Sequence, residues 1–127
     1  MASSRSRILI VAGDNHLREL MQDSLRECFD TAVAGDVLAC TDLLLGNEYD
    51  LLVLDDQLPV VPGREYMEML EASAEFPSLP VVIVSAAPDL EQKIKSKHNR
   101  GFLPNPFRLD QLFGQIQTLL QPHPLEL

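Results

Sequence analysis

A chain of 127 residues that is 46% hydrophobic has the size of one globular domain and enough apolar material for one core without disulfides. Ten lysines and arginines against nineteen aspartates and glutamates leave a net charge of −9, which argues against nucleic acid or an anionic membrane as partner of the domain as a whole. No apolar run approaches membrane-spanning length, and "MASSRSR" is not followed by the long apolar stretch of a secretory signal, so a cytoplasmic protein without membrane contact is expected.

In chain order, residues 1–6 read as a disordered leader, 7–121 as the domain, and 122–127, with two prolines and no periodicity, as a linker or tail. Three apolar, β-branched runs at 8–12, 51–54 and 81–84 suit strands buried on both faces of a parallel sheet. Weaker strands are expected at 31–34 and 101–104, where a βα alternation requires them.

The helices are read from spacing. Leu17, Leu20, Met21, Leu25, Cys28 and Phe29 trace one face of a long first helix capped by Asp14 or Asn15. Asp36 caps a second, with Val37, Cys40 and Leu44, stopped at Gly46 and Asn47. A third runs from 64 to about 75 with Tyr66, Met69 and Leu70, and a short fourth has only Leu90 and Ile94 before Lys97. Leu109, Leu112, Phe113, Ile116, Leu119 and Leu120 form the stripe of the last. Cys28 and Cys40 fall at helical spacing among apolar residues and are expected as small buried thiols.

Five βα units with short connections imply right-handed crossovers: an α/β, three-layer, doubly wound (βα)5 domain. Ligands of such sheets bind beyond the carboxyl ends of the strands. Three strands therefore aim their ends at one place, with Ala12, Gly13 and Asp14, then Asp55 and Asp56, then Ser85 and Ala86. A carboxylate ending a buried strand is either a solvated edge residue or a functional acid, and Asp55 alone leaves both open.

Five stretches in order, "ILIV" with the helix "LRELMQDSL", "DLLVLD" followed by Pro59 and Gly63, "PVVIVSA" and "FLPNPF", make the chain resemble the receiver domain of bacterial two-component response regulators over about 7–120. The resemblance implies a flavodoxin-like, five-stranded parallel sheet in the order 2-1-3-4-5. It also implies that Asp55 is the phosphoacceptor, attacking phosphohistidine or a small phosphodonor. Ser85 falls on the hydroxyl that contacts the phosphoryl group, and Phe102 on the aromatic that changes rotamer in response. Asn105 falls on a phosphate-pairing lysine, and Pro106 on a proline preceded by a cis peptide.

The departures decide the expected function. Ala12 and Gly13 stand where the family carries two acids that help hold Mg²⁺, and one remaining carboxylate binds a metal demanding octahedral oxygen ligation only feebly. Asp14 follows these positions and reads as a helix cap, while Asp56, alternating away from Asp55, reads as a loop acid. Asn105 cannot supply an ammonium's charge-assisted contact, and every lysine lies at Lys93, Lys95 or Lys97. Pro62 stands where the family's loop usually carries an acid.

The chain is thus expected to be an atypical receiver, or pseudo-receiver, with no cofactor and no enzymatic activity of its own. It would act on a protein partner or output domain, with a histidine kinase or a second copy as candidates. The surface assigned is that of Lys93, Lys95, Lys97, Arg100 and Phe102, set against the plainer reading of the lysines as a solvated helix face. The alternative is a working phosphoacceptor switched at Asp55 with Mg²⁺. A nucleotide- or flavin-binding module would want more than the single Gly13 in the first loop, and direct nucleic-acid contact is disfavoured by charge.

Overall fold

A computed structural model describes residues 5–95 and 97–120. Ten elements alternate: β1 (Arg7–Val11), α1 (Asn15–Leu25), β2 (Asp30–Ala34), α2 (Val37–Gly46), β3 (Leu51–Asp55), α3 (Gly63–Ala72), β4 (Val81–Ser85), α4 (Pro88–Ile94), β5 (Arg100–Pro104) and α5 (Leu109–Leu120). The strands form one parallel sheet in the order β2-β1-β3-β4-β5, as the resemblance implies.

Strand alternation divides the core in two. Ile8, Ile10, Leu51, Val53, Val82, Val84 and Leu103 pack with Met21 and Leu25 of α1 and Leu112 and Ile116 of α5. Leu9, Val11, Leu52, Leu54, Val81 and Ile83 pack with Cys40 and Leu44 of α2, Tyr66, Met67 and Leu70 of α3, and Leu90 and Ile94 of α4. Each large side chain withdrawn from water contributes about 1.5–3 kcal/mol. Because β1, β3 and β4 are covered on both faces, their sequences are unbroken apolar runs.

The structure corrects several local expectations. α1 stops at Leu25, because a turn in which Cys28 N and Phe29 N donate to Leu25 O feeds the chain into β2. Cys28 is consequently exposed, whereas Cys40 is buried as expected. α3 ends at Ala72, where Ser73 Oγ accepts from Glu75 N (2.9 Å) and Phe76 N (3.3 Å) and turns the chain. Its inward stripe is Tyr66, Met67 and Leu70, with Met69 facing water.

Two residues assigned to a disordered leader are tied to the sheet edge. Asp30 N donates to Ser6 O (3.0 Å), and Arg5 Nη2 donates to Phe29 O (2.9 Å). The rest of the leader, residues 1–4, and the tail at 122–127 lie outside the described residues. At the far edge, β5 closes with Pro104 opposite Ser85 and Asn105 N donating to Ser85 O (3.0 Å). No described helix is long and apolar enough to cross a membrane.

Candidate functional site

The carboxyl ends of β1, β3 and β4 meet at Asp55, which is 5% exposed, and Ser85, which is 4% exposed. Asp55 ends β3 on the parity of Leu51 and Val53, with Oδ1 accepting from Gln57 N at 3.3 Å. Burial pushes its carboxyl above the usual carboxylate range, and the neighbouring charges of Asp56 and Asp14 push the same way against the Gln57 hydrogen bond.

Gly63 brings α3 against this strand end. A Cβ there would lie 2.2 Å from Asp55 O and 2.9 Å from Asp56 Cα, so only glycine lets the helix N-terminus approach so closely. Gly63 N donates to Asp56 O at 2.9 Å. Between them the loop carries Val60 at φ 72°, with Val61 N donating to Pro59 O (2.8 Å) across it. This is a tight three-residue turn with a β-branched residue in the left-handed region, 95% exposed.

Asp56 turns out to be more than a loop acid. It does alternate away from Asp55, but its side chain is only 10% exposed and collects the site's polar contacts. Arg64 Nε lies 3.1 and 3.2 Å from its two oxygens, Nη2 lies 2.5 Å from Oδ2, and Arg64 N donates to Oδ1 at 3.1 Å. Ser85 Oγ donates to Asp56 Oδ2 at 2.9 Å and accepts from Ala87 N at 3.0 Å. Burial opposes ionisation of Asp56, but the hydrogen bonds from Arg64 and Ser85 outweigh it and hold the carboxyl below its ordinary value. Ser85 is therefore engaged with Asp56, and the structure does not bring its hydroxyl onto the Asp55 carboxylate.

Arg64 is the residue that sequence reasoning missed. The available signal was an arginine directly after the glycine that starts α3, eight positions from Asp56 across a proline-bounded turn. Its Nη1 also lies 4.0 Å from Asp89 at the start of α4, so one guanidinium touches the β3 end, α3 and α4.

On the β1 side, Asp14 is the N-cap of α1, accepting from His16 N at 3.2 Å, as expected. Ala12 is fully buried, and its carbonyl accepts from Arg18 Nη1 at 2.7 Å. A Cβ on Gly13 would sit 3.3 Å from Pro59 Cδ, so the loop is closely packed where the resemblance implies an acid. Among the described residues no three His, Cys, Asp or Glu side chains are grouped to hold a metal ion. With Asp14 capping α1 and Asp56 paired with Arg64, Asp55 is left as the one carboxylate ligand at these strand ends, and this set fits a Mg²⁺ ion poorly.

Phe102 is half-buried against the α2, α3 and α4 layer, and Asn105 is exposed at the end of β5. The Asn105–Pro106 peptide is cis. Of the four cations assigned to an interaction surface, Arg100 does not belong there: its side chain is 2% exposed. Entering β5, it donates to Glu71 Oε2 (2.9 Å), Leu79 O (2.9 Å) and Asn99 O (2.8 Å), satisfying carbonyls where two strands begin. Lys97 shares Glu71 at 3.3 Å, and Lys93 lies 3.8 Å from Asp89. Burial works against ionising Glu71, but hydrogen bonds from Arg100 and Lys97 keep its carboxyl below the ordinary value. Lys95 is exposed at the end of α4.

A doubly wound parallel domain presenting one buried strand-end carboxylate, a neighbouring hydroxyl and a cis proline loop defines a class of signalling domain. The chain belongs to the response regulator receiver domain family, whose model matches residues 8–117. It is 28% identical to the sensor histidine kinase TmoS of Ectopseudomonas mendocina, over 93% of this chain and 12% of that protein. It is also 28% identical to the response regulator MprA of Mycobacterium sp. (strain KMS), over 91% of this chain and 50% of that protein. The chain thus spans half or less of these curated relatives.

Among solved structures, the receiver domain of the Francisella response regulator 1452 is 27% identical with a TM-score of 0.79, covering 91% of this chain and 96% of that one. The Vibrio cholerae chemotaxis protein CheY4 has a TM-score of 0.82 at 19% identity, covering 92% of this chain and 100% of that one, a likeness of fold.

Proposed function

We propose that this receiver domain operates without Mg²⁺-dependent aspartyl phosphorylation and acts by protein contact, docking onto an output domain, a histidine kinase or a second copy. The observation that carries this reading is the distribution of charge around Asp55. The β1 loop offers Ala12 and Gly13, the position of the phosphate-pairing ammonium is Asn105, and of the two guanidiniums beside these strand ends that of Arg64 is paired with Asp56 and that of Arg18 is bonded to the Ala12 carbonyl. Phosphoryl transfer depends on positive charge to neutralise what develops on the transferred group, and this site supplies little that is uncommitted. Similarity to regions of a sensor kinase and of a response regulator supports both partner classes.

The second reading, a phosphoacceptor switched at Asp55, draws support from the retained, buried carboxylate. Incubation with acetyl phosphate and Mg²⁺, followed by intact-mass measurement, separates the two. The expected result is an unmodified chain; a phosphoryl adduct that Asp55→Asn abolishes would establish the second reading in place of the first.

A further inference from the structure

α2 is apolar on both sides. Its inward side buries Cys40 and Leu44, yet Leu38 and Leu45 stand 74% and 59% exposed on the outside, and Asp42 is its single charged residue. Seven positions apart, the two leucines share one helical face at a spacing of about 10 Å. A helix apolar all round is normally covered.

This face runs into a groove of about 650 Å³ between the α2–β3 and α3–β4 connections, floored by Leu44, Tyr49, Phe76 and Leu79 and edged by Leu45. Both connections lead into the starts of strands, so the groove lies at the end of the sheet opposite Asp55.

The rim is acidic, with Glu48, Asp50 and Glu75. Asp50 accepts from Arg7 N at 2.7 Å, the Arg7 guanidinium lies 5.1 Å from the centre of the Tyr49 ring, and the Arg100 guanidinium beneath Leu79 is committed to Glu71. Glu48 and Glu75 form no ion pair with any described residue. A second copy placed face to face would set carboxylates against carboxylates, which costs free energy at an interface.

We infer that the outer face of α2 and this groove dock an amphipathic helical segment of a partner protein bearing lysine or arginine beside leucine-type side chains. The apolar side chains lie over Leu38 and Leu45 and enter between Tyr49 and Phe76, and the cations meet Glu48 and Glu75. The inference is independent of whether Asp55 is phosphorylated.

The test uses the full chain, isotope-labelled for NMR, titrated with a synthetic fourteen-residue amphipathic peptide of leucine and lysine and with its leucine–glutamate counterpart. The lysine peptide is expected to shift Leu38, Leu45, Tyr49, Phe76 and Leu79, with the glutamate peptide at least about tenfold weaker. Leu38→Ser with Leu45→Ser, both at exposed positions, is expected to weaken binding by about tenfold or more. Glu48→Gln with Glu75→Gln is expected to reduce the salt dependence of binding. Shifts centred on α4 or spread over the acidic surface, equal binding of both peptides, or absence of binding would overturn the inference. So would shifts at this face that grow with protein concentration alone, which would identify a second copy as the occupant.

Discussion

Two adjacent carboxylates in one turn of chain have opposite effects on stability. Asp55 is buried beside like charges, so the folded state holds its proton more tightly than the unfolded chain does, and ionising it costs stability at neutral pH. Asp55→Asn is expected to raise the melting temperature at neutral pH, a gain that shrinks as pH falls through the raised folded value toward the ordinary carboxylate range. Asp56 binds its proton less tightly folded than unfolded, so its contribution is complete above the ordinary range and lost as pH falls below it. Asp56→Asn is expected to cost about 1.5–3 kcal/mol at neutral pH, the range for a hydrogen bond to a charged group, and little in acid. Thermal melts of both variants across pH check this, and a shift of the same sign in both would refute it. Asp55 was legible because a carboxylate ending an apolar run stands out. The role of Asp56 was not, since it depends on Arg64, brought across the turn by the phase of α3.

At the level of elements, the approach of α3 to the end of β3 rests on one missing side chain. Gly63→Ala would drive a Cβ into the Asp55 carbonyl, a backbone atom that cannot swing aside, and is expected to reach or exceed the upper end of the about 1–3 kcal/mol typical of overpacking. In the loop just before it, Val60→Gly relieves a left-handed β-branched residue. It is expected to gain up to about 1 kcal/mol after glycine's extra unfolded freedom is offset. Denaturant midpoints of the two variants should move in opposite directions. The three central strands were legible as unbroken apolar runs, as were the caps at Asp14 and Asp36. The ends of α1 and α3 were not, because a backbone turn onto Leu25 and the Ser73 hydroxyl stop helices whose apolar spacing continues.

Over the whole molecule, the basic cluster near residue 95 separates into two kinds of charge. Arg100 and Lys97 close on Glu71 and bind α3 to the entrance of β5, leaving Lys93 and Lys95 facing water on α4. Lys93→Glu with Lys95→Glu is expected to weaken association through this side by roughly fivefold, since exposed charges contribute about 0.2–1 kcal/mol each. Sedimentation with a second copy or an output domain reads the change, and unaltered association would remove this surface from consideration. Sequence clustering showed that the charges were neighbours. Which of them point inward was decided by the two strand entrances, whose carbonyls at Leu79 and Asn99 demanded a donor.

The outer strand β5 sets a limit on how such association can occur. Asn105 N turns toward β4, so by alternation the outward-facing amide positions of β5 are those of Arg100, Phe102 and Pro104, and the last of these has no hydrogen to offer. A sixth strand added beside β5 would find its ladder interrupted at Pro104, so this edge of the sheet resists lengthening by strand addition and the runaway stacking that an open edge invites.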